Sequence, residues 1–301
     1  MNTALIQQTY HTDPKEMRQS TTEQIAIASA SGADLVVLQE LHQHEYFCQT
    51  EATRYFDYAR RFPDDVAYWG SVARRHGIVL VASLFEERAP GLYHNTAVVL
   101  ERDGSVAGMY RKMHIPDDPG FYEKFYFTPG DTGFEPIDTS VGRLGVLICW
   151  DQWYPEAARI MALRGAEMLI YPTAIGWFDR DDAAEKSRQK ESWVTIQRSH
   201  AIANGLPVLC CNRVGYEPDP GGVLDGIRFW GHSFACGPQG EMLAQADGTH
   251  EAILYADVDT GRTKTVRDTW PFLRDRRIEA YSCLEKRYCD ADRAPKMPTE
   301  S

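Results

Sequence analysis

The chain has 301 residues, a length that fits either two domains of ordinary size or one large α/β or sandwich domain. Hydrophobic residues make up 43% of it and charged residues 25%, which excludes a disordered or fibrous chain. Aspartate and glutamate number 43 against 32 lysines and arginines, and the net charge is −11. Such a surface repels phosphate backbones, so we expect no nucleic-acid partner and a preference for neutral or cationic ligands.

The sequence predicts the cellular location of the protein, because no secretory signal, membrane span or paired cysteines are found in it. Residues 1–16 show no secretory signal, and no stretch has the 18 or more apolar residues of a membrane span. The number of cysteines is odd and none form a C-x-x-C pair, so we predict reduced thiols. These observations predict a cytoplasmic protein with no membrane partner. The cysteines are Cys48, Cys149, Cys210, Cys211, Cys236, Cys283 and Cys289.

Three elements are predicted at the start of the chain: a strand at 5–9, a helix at 16–31 and a strand at 34–39. The second strand is apolar without alternation, which predicts burial on both of its faces. Glu40 follows directly at its C-terminal end. A helix at 64–75 and a strand at 78–84 come next.

A hairpin and a strand-to-helix turn are predicted in the middle of the chain. Strands at 95–101 and 105–111 are joined across Asp103-Gly104, a strong turn signal, and Lys112 lies at the exit of the hairpin. An apolar strand follows at 144–149, and the next helix has Pro155 at its first position and Gly165 as its stop. Cys149 is therefore predicted at the turn between them.

The remaining elements mix strands with helices. A helix is predicted at 185–204 and polar helical segments beyond Thr260, with strands at 168–171, 207–211, 227–235, 241–246 and 252–257. This order departs from strict βαβ alternation and favours an α+β fold of two packed sheets with helices on both outer faces. No segment resembles a linker, so we predict a single domain over 1–285 and a polar C-terminal tail over 286–301.

Cofactor and metal motifs give a largely negative result. The sequence has no G-x-G-x-x-G, Walker loop, H-E-x-x-H or EF-hand loop, so we expect no cofactor. His42, His44, Glu45 and Cys48 bring metal-ligand types together after a buried strand. Their spacing matches no common site, and a loop or pocket wall is the better explanation. We therefore expect no metal, although a metal hydrolase using these residues stays an alternative.

Cys149 is a candidate nucleophile. Backbone N–H groups and a helix N-terminus after a buried strand would favour its thiolate, although a cysteine in an apolar strand is more often inert packing. Glu40 and Lys112 follow other strands, and a glutamate there is either paired in the structure or held as a base with a raised pKa. Together the three supply a nucleophile, a base and a fixed positive charge.

Several spaced sequence blocks carry a family resemblance. From about residue 3 to residue 281 the chain resembles the nitrilase (carbon-nitrogen hydrolase) superfamily. The resemblance implies a four-layer αββα sandwich that forms homo-oligomers, dimers or larger. The blocks are RKMHIP at 111–116, PGFYEKFYFTPGD at 119–131, ICWDQWYPEAAR at 148–159, YPTAIG at 171–176, HAIAN at 200–204 and WGHSF at 230–234.

The resemblance also implies a site. Its Glu-Lys-Cys triad matches Glu40, Lys112 and Cys149, and a second glutamate matches Glu123. The Lys112 ammonium and the Trp150 backbone N–H would hold the oxyanion. The implied reaction is cysteine-dependent hydrolysis of N-carbamoylputrescine to putrescine, ammonia and CO2, a step of polyamine formation from agmatine, with no cofactor.

The substrate is therefore expected to be a small cationic carbamoyl amine, and its ammonium needs a carboxylate. Glu191 and Asp118 are the candidates, each of which has an ordinary surface position as its alternative. Two other functions stay open. One is hydrolysis of another N-carbamoyl compound or an aliphatic amide, and the other is a catalytically silent assembly protein with the same fold.

Overall fold

The computed structural model describes residues 1–177 and 180–289. Its strands are β1 (Asn2–Gln7), β2 (Leu35–Leu38), β3 (Val79–Ala89), β4 (Leu92–Leu100), β5 (Val106–Arg111), β6 (Ile137–Thr139), β7 (Gly142–Val146), β8 (Met168–Thr173), β9 (Gly176–Trp177), β10 (Val208–Asn212), β11 (Val214–Glu217), β12 (Ile227–Trp230), β13 (Phe234–Cys236), β14 (Met242–Gln245) and β15 (Ala252–Asp257). Its helices are α1 (Pro14–Ala30), α2 (Phe56–Ala59), α3 (Phe62–His76), α4 (Glu123–Tyr126), α5 (Pro155–Leu163), α6 (Ala183–Asn204) and α7 (Gly261–Thr269). Short 3-10 turns cover Phe47–Gln49, Thr53–Tyr55, Cys149–Trp153, Ile278–Ala280 and Ser282–Glu285.

Two six-stranded mixed sheets form the centre of the molecule. The first has the order β15-β1-β2-β3-β4-β5 and the second β14-β13-β10-β8-β7-β6. Parallel pairing joins β1 to β2 and β2 to β3 in the first sheet, and β7 to β8 and β8 to β10 in the second. A small third sheet has the order β11-β12-β9.

The first sheet is covered on both faces, as its apolar strands predict. Alternate residues of a strand point to opposite faces. Leu35 and Val37 of β2 therefore enter the core between the two sheets, whereas Val36 and Leu38 pack in a separate core that includes residues of α1 and α3. Burial on both sides explains why this strand shows no polar alternation.

Helices α5 and α6 cover the outer face of the second sheet. Met161 of α5 and Trp193 of α6 belong to the same core as the strands beneath them. With α1 and α3 on the other side, the four layers follow the order αββα, which confirms the predicted fold. Asp182 caps α6 by accepting a hydrogen bond from the Glu185 backbone N–H, so this helix begins two residues before the predicted start.

Two predicted strands have different bounds in the structure. The strand predicted at 227–235 is two strands, β12 in the third sheet and β13 in the second, because Gly231 (φ 57°) and His232 (φ 51°) turn the chain between them. The strand predicted at 144–149 ends at Val146, and Cys149 begins a 3-10 turn. At the N-terminus, β1 begins at Asn2 because it pairs with β15 along its whole length.

The hairpin of β4 and β5 is confirmed, with Thr96 opposite Arg111 in the antiparallel register. The polar helical segment predicted beyond Thr260 is α7. Of the predicted tail, residues 286–289 are exposed and 290–301 lie outside the described residues. In the described ranges, no helix has the length and apolarity that a bilayer crossing requires.

Candidate active site

Four predicted residues converge where the two sheets meet. Glu40 follows β2 and Lys112 follows β5 in the first sheet, Cys149 follows β7 in the second, and Glu123 begins α4 in the connection between the sheets. All four are buried. The Lys112 ammonium donates hydrogen bonds to Glu40 Oε1 at 2.7 Å and to Glu123 Oε2 at 2.6 Å. The structure therefore assembles one cation between two carboxylates beside a thiol.

The charges of this cluster are unbalanced. Burial alone would lower the pKa of Lys112, but the carboxylates of Glu123 and Glu40 raise it well above its usual value. Burial raises the pKa of Glu123 to about 7, although the Lys112 ammonium acts in the opposite direction. Two carboxylates thus compete for one ammonium in a water-poor site, and Glu123 binds a proton more readily than an exposed glutamate does.

Each carboxylate is held by a further side chain. Asn95 Nδ2 donates to Glu40 Oε1 at 2.7 Å, and the Tyr46 hydroxyl donates to Glu123 Oε1 at 2.6 Å. Glu40 Oε2 is buried and has no hydrogen-bond partner among the described residues. An unpartnered buried carboxylate oxygen is costly and is suited to accepting a proton during a reaction.

The turn that presents Cys149 is unusual for a residue with a side chain, because Cys149 has φ 41°. The buried carboxylate of Asp151 stabilises this turn. It accepts hydrogen bonds from the Ile148 backbone N–H at 2.9 Å, the Tyr110 hydroxyl at 2.8 Å and the His114 backbone N–H at 3.0 Å. The sulfur is therefore held in place by contacts that the surrounding structure imposes.

The expected thiolate is wrong for the resting site. Burial, together with the Glu40 carboxylate, raises the pKa of the Cys149 thiol well above its usual value. The backbone N–H groups of the 3-10 turn are too few to offset the loss of hydration of a buried Cys149 thiolate. Cys149 consequently needs a neighbouring base to become nucleophilic.

The turn after Glu40 has its own buried support. Leu41 has φ 48°, and the guanidinium of Arg213 donates to the carbonyl oxygens of Leu41 at 2.9 Å and His44 at 3.1 Å. Glu217 accepts from the same guanidinium at 2.6 Å. The ion pair neutralises the buried arginine, so it can hold the backbone next to Glu40.

A cavity of about 450 Å³ opens above Cys149 and Glu123. Trp150 and Asp118, two of the predicted substrate-binding residues, line it. Its other walls are largely apolar and aromatic, formed by Pro116, Phe121, Trp153, Ala174, Ile175, Gly176 and Trp230. An uncharged alkyl chain fits such walls, and a polar group suits the acidic rim.

The third predicted substrate-binding residue, Glu191, is exposed and does not line the cavity. On α6 the lining residues are Glu185, Arg188, Gln189 and Ser192, spaced along one helical face. Glu191 is rotated by about 100° from Ser192, which takes it off that face. Glu185 and Arg188 form an ion pair at 2.6 Å.

The residues considered for a metal have separate surroundings. His42 Nδ1 bonds the Ser83 carbonyl oxygen at 3.1 Å, and burial lowers the pKa of this histidine to about 3. His44 stacks on Tyr58, and Cys48 lies in a buried aromatic cluster. In the part of the chain that the structure describes, no group of three or more histidine, cysteine or acidic side chains could hold a metal ion.

Sequence patterns did not indicate four of these residues: Tyr46, Asn95, Asp151 and Arg213. Asn95 is the one with a local signal, since it is a polar residue at the start of a predicted strand whose centre, residues 97–100, is apolar. The others act on residues far along the chain or through the backbone, which short-range patterns do not report.

A model of the family described as carbon-nitrogen hydrolase matches residues 2–268 of the chain. The protein belongs to the carbon-nitrogen hydrolase family. This membership confirms the resemblance inferred from the spaced sequence blocks, and the four converging residues lie within the matched range.

Relatives of this carbon-nitrogen hydrolase extend over nearly its full length. It is 40% identical over 279 residues to an N-carbamoylputrescine amidase of Solanum lycopersicum, covering 91% of each chain. It is 38% identical over 289 residues to a citrullinase of Francisella tularensis, covering 95% of this chain and 98% of the other. A crystal structure of a carbon-nitrogen hydrolase from Helicobacter pylori G27 is 57% identical, with TM-score 0.94 over 96% of this chain and 99% of that one.

Proposed function

We propose that the protein is a cysteine amidohydrolase that cleaves N-carbamoylputrescine to putrescine, ammonia and CO2. The observation that carries this proposal is the Lys112 ammonium held between Glu40 and Glu123, the second of which lines the same cavity as Cys149. The similarity of the protein to the N-carbamoylputrescine amidase of Solanum lycopersicum supports the choice of substrate. Residue roles follow from the contacts of each side chain.

The first step forms a carbon–sulfur bond. Glu40 Oε2 has no hydrogen-bond partner among the described residues. It takes the proton of the Cys149 thiol while the sulfur attacks the ureido carbon. The carbonyl oxygen becomes an oxyanion. Lys112 Nζ and the Trp150 backbone N–H are the donors for it, and loss of one such donor typically costs about 2.7–4 kcal/mol.

The second step breaks a carbon–nitrogen bond. Protonated Glu40 gives its proton to the terminal amino group, which leaves as ammonia, and a carbamoyl thioester stays on Cys149. Glu40 then takes a proton from water, whose oxygen attacks the thioester carbon. The carbon–sulfur bond breaks, and Glu40 returns the proton to the departing Cys149 sulfur. The product is a carbamic acid that loses CO2 to give the free amine. Glu123 keeps Lys112 in place throughout.

Recognition of the substrate uses the remainder of the cavity. The four methylene groups lie along aromatic walls that include Phe121 and Trp230. The distal ammonium pairs with Asp118 at the exposed rim, whose carboxylate is an acceptor for a cation. The net charge of −11 also favours approach of a cation.

A second candidate substrate class is a ureido amino acid such as citrulline. The Arg188 side chain lines the same cavity, and its guanidinium is the type of group that binds a carboxylate. Its pairing with Glu185 at 2.6 Å makes carboxylate binding compete with an existing contact. The similarity to the Francisella citrullinase makes this comparison a necessary part of the test.

We also propose that the enzyme works in the cytoplasm as a homo-oligomer. Five of its seven free cysteines are buried, which suits a reducing compartment. Apolar side chains including Trp270, Ile278 and Leu284 are exposed in its C-terminal part. A second copy that covers them would remove them from water. Sedimentation of the full chain tests this, and a monomer at all micromolar concentrations would reject it.

The activity is tested by measuring ammonia release from N-carbamoylputrescine, citrulline, a carbamoyl β-amino acid, an aliphatic amide and a nitrile. We expect the carbamoyl amine to have the highest kcat/KM. Cys149→Ser should abolish release, while Cys283→Ser, an exposed cysteine outside the cavity, should retain it. A clear preference for citrulline would mean that citrulline, and not N-carbamoylputrescine, is the substrate. Full activity of Cys149→Ser would reject the mechanism.

A silent assembly protein and a metal hydrolase make different predictions. A silent protein would release no ammonia from any member of the panel. A metal hydrolase would lose activity in EDTA. We expect full activity in EDTA and loss of activity when Cys149 is alkylated.

A further inference from the structure

The two glutamates that flank Lys112 have different surroundings. Both oxygens of Glu123 accept hydrogen bonds, Oε1 from the Tyr46 hydroxyl at 2.6 Å and Oε2 from Lys112 at 2.6 Å. Glu40 instead accepts two hydrogen bonds on Oε1, from Lys112 and Asn95, and its Oε2 is unpartnered within the described residues. Each oxygen of Glu123 thus has a partner, whereas one oxygen of Glu40 has none among the described residues.

Tyr46 is held rigidly in the position from which its hydroxyl bonds Glu123. Its side chain is buried, and its backbone N–H donates to Glu217 Oε2 at 2.6 Å. Its ring contacts Phe121 and Phe229, with centroid distances of 5.5 and 5.7 Å. Backbone and ring are therefore both fixed, and the hydroxyl is directed at Glu123 without much freedom to move.

We propose that Tyr46 is a positioning residue that makes the Glu123 carboxylate less ready to take up a proton and keeps it directed at Lys112, so that Glu40 is the residue that carries protons. This inference rests on the proposed function and adds a division of labour between the two glutamates. Tyr46 acts through Glu123 and does not itself touch the reacting atoms.

The electrostatics of the site agree with this assignment. The charged or titratable groups around Glu123 are Lys112, Glu40 and Tyr46, with the thiols of Cys48 and Cys149 close to the same cluster. Burial raises the pKa of Glu123, and the hydrogen bond from Tyr46 lowers it. Without that donor, Glu123 takes up a proton at a higher pH. Lys112 is then paired with the Glu40 carboxylate alone, so the whole attraction of its charge opposes transfer of a proton to Glu40.

The test is Tyr46→Phe, which removes the hydroxyl and keeps the ring. Infrared titration of the buried carboxylic acid, with Glu123→Gln as the reference for its band, measures the ionisation of Glu123 without any substrate. We expect its midpoint to rise by about one to two pH units, as loss of a hydrogen bond to a charged group implies. The acid limb of kcat/KM should move upward with it, and activity should recover at high pH.

Tyr126→Phe is the matched control. Tyr126 lies in the same aromatic cluster as Tyr46, but its hydroxyl bonds the backbone N–H of Ala52 at 2.9 Å. It should leave the midpoint and the acid limb unchanged. Adding Tyr46→Phe to Glu123→Gln should cause no further shift of the acid limb, since the proposed effect passes through Glu123.

Three results would overturn the proposal. One is an unchanged infrared midpoint in Tyr46→Phe, and another is an activity loss that is equal at every pH. The third is a shifted midpoint with an unmoved acid limb, because Glu123 would then have no influence on the rate. If the wild-type enzyme turns over no carbamoyl compound, the proposed function fails, and the infrared midpoint still decides whether Tyr46 controls Glu123.

Discussion

The guanidinium of Arg213 and the carboxylate of Glu217 form a buried ion pair, with Nη1 2.6 Å from Oε1, beside the turn that carries Glu40. The same guanidinium holds the carbonyl oxygens of Leu41 and His44. The pair therefore connects the third sheet to the end of β2. Its charges are deprived of water, so the effect of removing one partner should be large.

Arg213→Met should lower the free energy of unfolding by about 3–5 kcal/mol, because it leaves Glu217 as an unpaired buried charge. Chemical denaturation at pH 7 measures this loss. Arg60→Met provides the comparison, since Arg60 pairs with Asp57 at the exposed surface and such a pair contributes about 0–1 kcal/mol. Equal effects of the two substitutions would contradict the role assigned to the buried pair.

Asn95→Leu should reduce kcat about tenfold to a hundredfold with little change in KM. The substitution removes a donor to the Glu40 carboxylate, and a hydrogen bond to a charged group contributes about 1.5–3 kcal/mol. Steady-state ammonia release measures both constants. Asn204→Leu replaces another buried asparagine, one that bonds the His200 carbonyl oxygen within α6, and should leave kcat unchanged. An Asn95→Leu enzyme with full kcat would show that Glu40 needs no such support.

Asp118→Asn should raise KM for N-carbamoylputrescine about twofold to fivefold and leave kcat nearly unchanged. The carboxylate is exposed at the cavity rim, so its attraction for the substrate ammonium is reduced by water. Asp117→Asn is the natural control, because Asp117 is also exposed but lies near Lys124 and does not line the cavity. A neutral alkylurea of equal length should not distinguish Asp118→Asn from the wild type. A KM increase with that neutral compound would refute an electrostatic role.

The contribution of Glu123 to the stability of the protein should fall between about pH 4.5 and pH 7. Its pKa is raised to about 7 in the folded protein from an ordinary value of 4.5, so the folded state binds more protons in this interval. The stabilising effect of the bound proton is complete below pH 4.5 and is lost as the pH rises through 7. The unfolding free energy of Glu123→Gln minus that of wild type should therefore increase by up to about 3 kcal/mol over the interval. A constant difference would mean that Glu123 is ionised throughout.

Local patterns predicted the layers of the fold and the places of the residues that converge in the candidate site. Apolar strands without alternation indicated sheets buried on both faces. Glu40, directly after such a strand, and Lys112, at the exit of the predicted hairpin, are among the residues that converge. Cys149 was placed correctly at a strand-to-helix turn. These predictions succeeded because the strand pattern and the turn chemistry are both short-range properties.

Long-range contacts explain what the patterns missed. The bounds of β1 depend on pairing with β15, about 250 residues away, and the split between β12 and β13 depends on left-handed backbone at Gly231 and His232. The prediction of Glu191 rests on its charge. Its place on α6, one residue before Ser192, turns its side chain away from the cavity face. The resting state of Cys149 depends on desolvation, which is a property of the assembled cavity and not of the residues beside it.

Glu40 is attached to one central sheet and Cys149 to the other. A folding intermediate that contained either sheet alone would therefore have the proposed base without the proposed nucleophile, or the reverse. Hydrolysis begins only when the two sheets dock against each other, so recovery of turnover during refolding marks that docking event more specifically than recovery of secondary structure does.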